Sequence, residues 1–144
     1  MASSCTITLN HQQVHQTETA ILQFAWTADT DGSFTSVSTD DTDYNEKLTI
    51  TDMIKGWEIY GAQTDPGTTA PTADYDITVT DAAGEDLFGT NLNDRSTSAT
   101  ESAVPAIGGL NATRTIDSAL TLNITNNSVN GATGVVKLFL KHVV

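Results

Sequence analysis

The sequence predicts an all-β domain, a β-sandwich or jelly roll of about seven to eight short antiparallel strands with little or no helix. Threonine accounts for 25 of the 144 residues, and threonine favours a pleated, half-buried strand over a helix. Apolar residues alternate with polar residues in several segments, which is the period of a strand with one buried face. Neither a long helical period nor a βαβ rhythm is present.

Each predicted strand has one face of alternating apolar residues. The first strand lies in CTITL, where two threonines occupy the opposite face. The later segments repeat this alternation with different apolar residues. In chain order, the apolar faces are Cys5, Ile7 and Leu9; Leu22, Phe24 and Trp26; Leu48, Ile50 and Ile54; Trp57 and Ile59; Tyr75, Ile77 and Val79; Leu120, Leu122 and Ile124; and Val136, Leu138 and Leu140.

Turn signals separate these segments. They are DTDG at 29–32, DPG at 65–67, DAAG at 81–84 and NG at 130–131. Asp, Pro and Gly are the residues that tight turns require, because they cap the turn, fix φ or accept a positive φ. The acidic stretch at 64–86 is therefore interpreted as turns around one strand, and not as a catalytic or metal-binding cluster.

Residues 1–144 are predicted to form a single β domain. Within it, the segment 89–118 is rich in Ser, Thr, Asn and Ala and shows no clear period. A structureless loop of that length is unusual in a compact domain. We therefore expect this irregular segment to hold one weak strand, or an arm that becomes ordered against a neighbour. An N-terminal arm that becomes ordered on binding is a second expectation.

The charge of the chain excludes several classes of partner. With 18 acidic and 6 basic residues, the formal charge is −12, which argues against nucleic acid and anionic membrane surfaces. The single cysteine cannot form an intramolecular disulfide. The start of the chain has neither region of a Sec-type signal peptide, and no apolar run is long enough to span a membrane. We expect the protein to be made in a cytoplasm and to stay there or leave inside a larger particle.

Three segments contain residues that bind metals in other proteins. DTDG at 29–32 begins like a calcium loop, but Gly32 is the fourth residue where an EF-hand has glycine sixth, and no Glu follows at the twelfth position. DDTD at 40–43 has the oxygens to collect a cation between two chains, although a solvated loop is favoured. His11 and His15 are four residues apart but lack the acid of the H-E-x-x-H motif. The sequence therefore predicts neither a metal site nor a cofactor.

No motif indicates an enzyme. Cys5 lies on an apolar face, where a free cysteine behaves as a small apolar residue, and His142 is expected at the surface. Gly108 and Gly109 form a turn or flexible joint, since no phosphate-binding loop, serine nucleophile elbow or paired-cysteine motif surrounds them. Trp57 with Tyr60 is the candidate aromatic platform for a carbohydrate, although aromatic residues on strands more often belong to the core.

Three segments together resemble a known family. They are GWEIYGAQTDPGTTAPTADYDITVTDAAGEDLFG, the following LNDR, and ALTLNITNNSVNGATGVVKLFLK. This arrangement is similar to that of small structural proteins that tailed bacteriophages encode among their virion genes. The resemblance covers about residues 53–141. The family pattern often has GG before the L..R segment, whereas Thr90 replaces the second glycine here, so that turn is expected to be built differently.

The resemblance implies a structural role without catalytic residues. Related proteins are capsid decoration proteins, head fibres or tail components. The favoured role is a decoration (cement) protein on the exterior of the virion head, with the major capsid protein and copies of itself as partners, and with a homotrimer favoured by capsid symmetry. The alternatives are a tail or head-fibre component and a module that binds carbohydrate or a host surface.

Overall fold

The structure is a computed structural model and describes residues 2–14 and 17–143, the side chains of residues 13, 14, 17 and 143 excepted. Strands dominate the described chain, and the helices are short. In order, the elements are β1 (Ser4–Val14), β2 (Thr17–Thr27), β3 (Val37–Ser38), a 3₁₀ turn (Thr39–Asp41), α1 (Ile50–Ile54), β4 (Glu58–Pro66), β5 (Asp76–Thr80), β6 (Glu101–Ala103), β7 (Ala106–Ile107), β8 (Leu110–Asn111), β9 (Arg114–Thr115), β10 (Thr121–Thr125) and β11 (Thr133–Val143).

Two antiparallel sheets form a β-sandwich. The larger sheet has the order β1-β2-β11-β4, followed by β6 and β9, which both pair with β4. The smaller sheet has the order β3-β10-β5, and β7 and β8 form a separate hairpin. The all-β sandwich prediction is therefore confirmed.

The order of the strands is that of a jelly roll. Consecutive strands from β2 to β5 alternate between the two sheets, and β10 and β11 do so again. As a result, β11 lies between β2 and β4, while β10 lies between β3 and β5. The chain at 86–95 covers the free edge of β5 irregularly, since the N–H of Leu87 donates to Val79 and the N–H of Arg95 donates to Tyr75. Irregular backbone thus replaces an eighth regular strand at that edge.

The core lies between the inner faces of the sheets. Trp26 on the larger sheet contacts Tyr75, next to the smaller sheet, with ring centroids 5.9 Å apart, and Phe34 with centroids 6.0 Å apart. The predicted alternation explains this packing, because every second residue of each long strand points inward. The fully buried large side chains include Leu22, Phe24, Trp26, Ile54, Ile59, Tyr75, Ile77, Leu87, Phe88, Leu92, Ile116 and Leu120.

One local prediction is wrong, and the strands are more numerous than the seven to eight expected. The segment from Leu48 to Ile54 was predicted as a strand, but Ile50–Ile54 is a helix. Thr49 caps this helix. Its hydroxyl accepts a hydrogen bond from the N–H of Asp52, while the Asp52 carboxylate accepts one from the N–H of Thr49. This reciprocal pair satisfies backbone donors that the start of a helix leaves free. The described chain also has eleven strands, more than expected.

The extra strands lie mainly in the segment 89–118. It contains β6, β7, β8 and β9 where one weak strand was expected. Each has only two or three residues, too few for a period of two to show in the sequence. Residues 4–14 form the edge strand β1. The N-terminal arm that was expected to become ordered on binding stays a prediction. No helix of the described residues is long and apolar enough to cross a membrane.

Candidate functional site

Asp31 and Asp81, in two of the predicted turns, form hydrogen bonds within their own loops. Asp81 Oδ1 accepts from the N–H groups of Ala83 and Glu85, both at 3.0 Å. Hydrogen bonds from the hydroxyl and the N–H of Ser33 hold the pKa of Asp31 below its usual value. These carboxylates satisfy backbone donors of tight turns, which is the role that the sequence predicted.

The other candidate metal ligands are not brought together. Asp40 and Asp41 lie in the 3₁₀ turn, and His11 lies near the end of β1. Across residues 2–14 and 17–143, no group of three or more His, Cys, Asp and Glu side chains is placed to hold a metal ion. His15 lies outside the described residues.

A polar and aromatic cluster closes one end of the sandwich. His11 Nε2 lies 2.7 Å from Glu18 Oε2, and the His11 ring meets Trp57 edge-on with centroids 5.5 Å apart. His142 stacks on Trp57 at 5.4 Å, so it is half-buried and not simply at the surface as predicted. The cluster covers this end of the core, because Trp57 packs against the buried apolar residues.

Burial shifts the pKa of three ionisable groups. Burial raises the pKa of the Cys5 thiol to about 11 and that of the Tyr75 phenol to about 12, so both stay protonated at neutral pH. Burial also raises the pKa of Asp86. The Arg95 guanidinium lies close to the core, with Nε 3.9 Å from Glu101 Oε1, while its buried Nη1 has no hydrogen-bond partner among the described residues.

Trp57 and Tyr60 do not form the predicted common platform. Trp57 contacts His142, whereas Tyr60 contacts Phe139 and Lys141. Because Lys141 and His142 are consecutive residues of one strand, they point to opposite faces of the sheet. The two aromatic rings are therefore on opposite sides.

Tyr60 instead lines a groove on the outer face of the larger sheet, which we call the Tyr60 groove. Its volume is about 290 Å³, and it is lined by Asn10, Gln12, Thr19, Ala20, Ile21, Tyr60 and Phe139. The Tyr60 and Phe139 rings are 6.2 Å apart at 34°, and the Lys141 ammonium lies 5.8 Å from the Tyr60 centroid. The groove combines aromatic surface with side-chain amides, which can stack on and hydrogen-bond to a polar ring.

The two most exposed large apolar side chains of the described residues, Leu110 and Ile107, lie on the β7–β8 hairpin, and Val104 lies beside it. Leu110 is 74% exposed, Ile107 52% and Val104 41%, and we call these three residues the hairpin tip. Gly108 and Gly109 form the turn with φ of 57° and 81°, values that favour glycine. Residues 102–113 contain no charged side chain, although the chain as a whole is strongly acidic.

The base of this hairpin is held firmly. Arg114 forms two bonds to the Glu85 carboxylate, at 2.9 and 3.1 Å, and donates to the Ala106 carbonyl at 2.7 Å. Asn91 Nδ2 donates to the Val104 carbonyl at 2.8 Å. A bidentate arginine–carboxylate pair fixes geometry as well as adding stability, so these contacts attach the base of the hairpin to the sandwich.

Comparisons with known proteins find distant structural similarity only. No protein-family model and no curated protein matches the sequence. The N-terminal CBM22-1-CBM22-2 tandem domain of Paenibacillus barcinonensis Xyn10C is 15% identical, with a TM-score of 0.41 over 99% of this chain. This chain spans 42% of that tandem domain's length.

Two further solved structures are similar at the same distant level. A chain of the cyanophage Pam1 capsid asymmetric unit is 14% identical, with a TM-score of 0.43 over 92% of this chain and 89% of the other. The xylan-binding module CBM86 from Roseburia intestinalis is 9% identical, with a TM-score of 0.28 over 98% and 94%. At these values the similarities do not assign a function to this chain.

Sequence reasoning missed both exposed surfaces. The Tyr60 groove depends on the pairing of β4 with β11, which no local pattern reveals. The hairpin tip left no distinct signal in the sequence, because the run of 12 uncharged residues between Glu101 and Arg114 is shorter than the uncharged run at 118–136.

Proposed function

We propose that this chain is a structural protein of a tailed-bacteriophage virion, specifically a decoration protein that binds the outside of the head and stabilises it. The sequence resemblance supports this role. Its segments at 56–89 and 119–141 form β4, β5, β10 and β11, which are two strands of each sheet, so the resemblance involves the framework of the fold.

The observation that carries the proposal is the uncharged hairpin tip on an acidic sandwich. A protein that coats the shell needs one surface for the major capsid protein and an exterior that keeps particles apart. Burying a side chain such as Leu110 or Ile107 in a partner contributes about 1–2 kcal/mol. Each contact is thus modest, and many copies bridging neighbouring capsomers stabilise the head together. Trimers at local three-fold axes are the arrangement we favour.

The first experiment is quantitative mass spectrometry of purified virions. A copy number near that of the major capsid protein, or a fixed fraction of it, supports decoration of the shell. A handful of copies points to the alternative of a tail or head-fibre component. Complete absence from virions overturns the proposal.

A variant tests the docking surface directly. We expect Ile107→Thr with Leu110→Thr to weaken co-sedimentation with empty capsids at least tenfold, because apolar area is lost from the contact. The matched control is Tyr44→Thr with Leu48→Thr, which removes two other exposed apolar side chains and should leave binding unchanged. Equal binding by the hairpin variant and the unaltered protein would exclude the hairpin tip as the docking surface.

The second candidate function is a carbohydrate-binding module, which the Tyr60 groove favours. A sugar ring would stack on Tyr60 in place of the Lys141 ammonium, while Asn10 and Gln12 would bind its hydroxyl groups. Affinity electrophoresis in polysaccharide gels tests this function. Retardation that is lost in Tyr60→Ala but kept in Tyr44→Ala would favour this function over capsid decoration.

A further inference from the structure

Strand β1 has an unpaired edge along its whole length. All 11 of its residues pair with β2 on one side, and no strand of residues 2–14 and 17–143 pairs with it on the other. In an antiparallel sheet the backbone groups of alternate residues point to either side. A row of N–H and C=O groups on β1 is therefore free to bind another extended strand.

This edge has none of the features that normally prevent edge pairing. Residues 4–14 include no Lys, Arg, Asp, Glu, Pro or Gly, whereas soluble proteins protect long edges with charges, prolines, bulges or short strands. The opposite edge of the same sheet is protected, since it consists of β6 and β9, which have three and two residues. The two edges therefore differ in their capacity to accept a strand.

The charge distribution indicates what pairs with β1. Two copies of a chain with charge −12 repel each other over most of their surface. Residues 1–17 contain no acidic or basic side chain apart from histidine, so β1 is a place where two copies can approach without facing like charges. Leu9, only half-buried at this edge and packed against the core, would be covered by a second strand.

We propose that two copies of this chain pair through β1, antiparallel and about a two-fold axis, and so join their six-stranded sheets into one continuous sheet. Full overlap of the two strands places Leu9 on the axis and Thr8 opposite Asn10 of the second copy. Both Thr8 and Asn10 are exposed and uncharged, and such polar pairs are compatible across strands. A two-fold axis normal to the sheet keeps both hydrophobic cores on the same side.

This pairing is independent of the proposed function. It is an isologous contact, in which the same surface of each copy is used and growth stops at a pair. The unaltered protein should therefore have an assembly mass that is an even multiple of the chain mass.

Charge substitutions on the exposed face of β1 test the contact. In Thr8→Lys with Asn10→Lys, like charges would lie directly opposite each other, which destabilises strand pairing. Analytical ultracentrifugation should show that this variant has half the mass of the unaltered protein. The matched control is Thr121→Lys with Asn123→Lys on β10 of the smaller sheet, which adds the same charge and should leave the mass unchanged.

A mixing experiment separates loss of the contact from loss of folding. The variant Thr8→Glu with Asn10→Glu should also have half the mass, and mixing it with the lysine variant should restore the full mass, because opposite charges then face each other. Restoration supports the β1 pairing. The proposal is overturned if the unaltered protein has an odd number of chains, if neither variant changes the mass, if mixing restores nothing, or if the mass grows without limit.

Discussion

Trp26 fits in the core because the residue opposite it has no side chain. Gly134 on β11 pairs directly with Trp26 on β2. A Cβ atom added at Gly134 would lie 2.7 Å from the indole carbon Cζ2 of Trp26, which is closer than any ordinary contact between carbon atoms. The side chain of Trp26 is almost completely buried, so it has little room to move away.

We therefore expect Gly134→Ala to lower the free energy of unfolding by about 1–3 kcal/mol, the range for an overpacked core. Urea denaturation followed by tryptophan fluorescence measures this change. The matched control is Gly61→Ala on β4, where the nearest atom to an added Cβ is 3.5 Å away. A loss of stability that is equal in both variants would show that a general effect of adding a methyl group to the strand, and not the contact with Trp26, is responsible.

The inward position of Trp26 could be predicted from its alternation with Leu22 and Phe24, but its glycine partner could not. Alternation is a local pattern, whereas the pairing of β2 with β11 joins residues from opposite ends of the chain. The Trp57 and Tyr60 platform was wrong for a local reason, because residues 57 and 60 fall on opposite faces of a strand with a period of two. Tyr60 itself lies at a register shift in the β4–β11 pairing, which the sequence does not show.

At the scale of elements, a buried hydroxyl pair joins three segments of the chain. Thr39 Oγ1, in the 3₁₀ turn, lies 2.7 Å from Thr51 Oγ1 in α1. The N–H of Leu120, just before β10, donates to Thr39 Oγ1 at 3.0 Å. Both threonines are buried, so each hydroxyl depends on these partners in place of water.

Thr39→Val should cost about 1–3 kcal/mol of unfolding free energy, because it leaves the N–H of Leu120 and the hydroxyl of Thr51 without a buried partner. Thermal and urea unfolding both measure this loss. Thr35→Val makes the same change at an exposed position and should have an effect within about 0.5 kcal/mol. Similar stability of the two variants would contradict the role given to the hydroxyl pair.

The sequence contained part of the information about these elements. Thr49 and Asp52 have the spacing of a helix N-cap with its third residue, which would have predicted α1. The apolar alternation of Leu48, Ile50 and Ile54 is too short to distinguish a strand from one helical turn. The strands of the segment 89–118 could not be predicted, because their two or three residues are fixed by contacts with β4 and with each other.

At the scale of the whole molecule, the dominant property is the net charge of −12. The 18 acidic residues are distributed along the chain, so folding brings like charges closer together than they are in the unfolded state. Few of these acidic residues take part in the described ion pairs. Two of the ion pairs are made by Arg95 and Arg114. Self-repulsion therefore opposes folding at low ionic strength.

We expect the melting temperature to rise by about 2–5 °C between about 10 and about 300 mM NaCl, because the Debye length falls from roughly 30 Å to less than 10 Å. Scanning calorimetry measures the shift. Glu46→Lys, in an exposed loop, reduces the negative charge and should show a smaller rise. A melting temperature that does not depend on salt, or that falls with it, would contradict this account.

Composition and alternation were sufficient to predict the fold class and most of the core, since these depend on local periodicity. The order of the strands depends on pairings between distant parts of the chain, and neither sheet edge could be assigned from the sequence. The open edge at β1 and the hairpin tip became visible only when the partners of each strand were known.

The position of β11 has a consequence for synthesis on the ribosome. Because β11 separates β2 from β4 in the larger sheet, neither of these two strands has all of its final neighbours until residues 133–143 have been translated. Until then the inner faces of β2 and β4 stay without their central partner, and exposed apolar strands of this kind are prone to aggregate or to bind chaperones. We expect the nascent chain to complete its fold late and in one cooperative step.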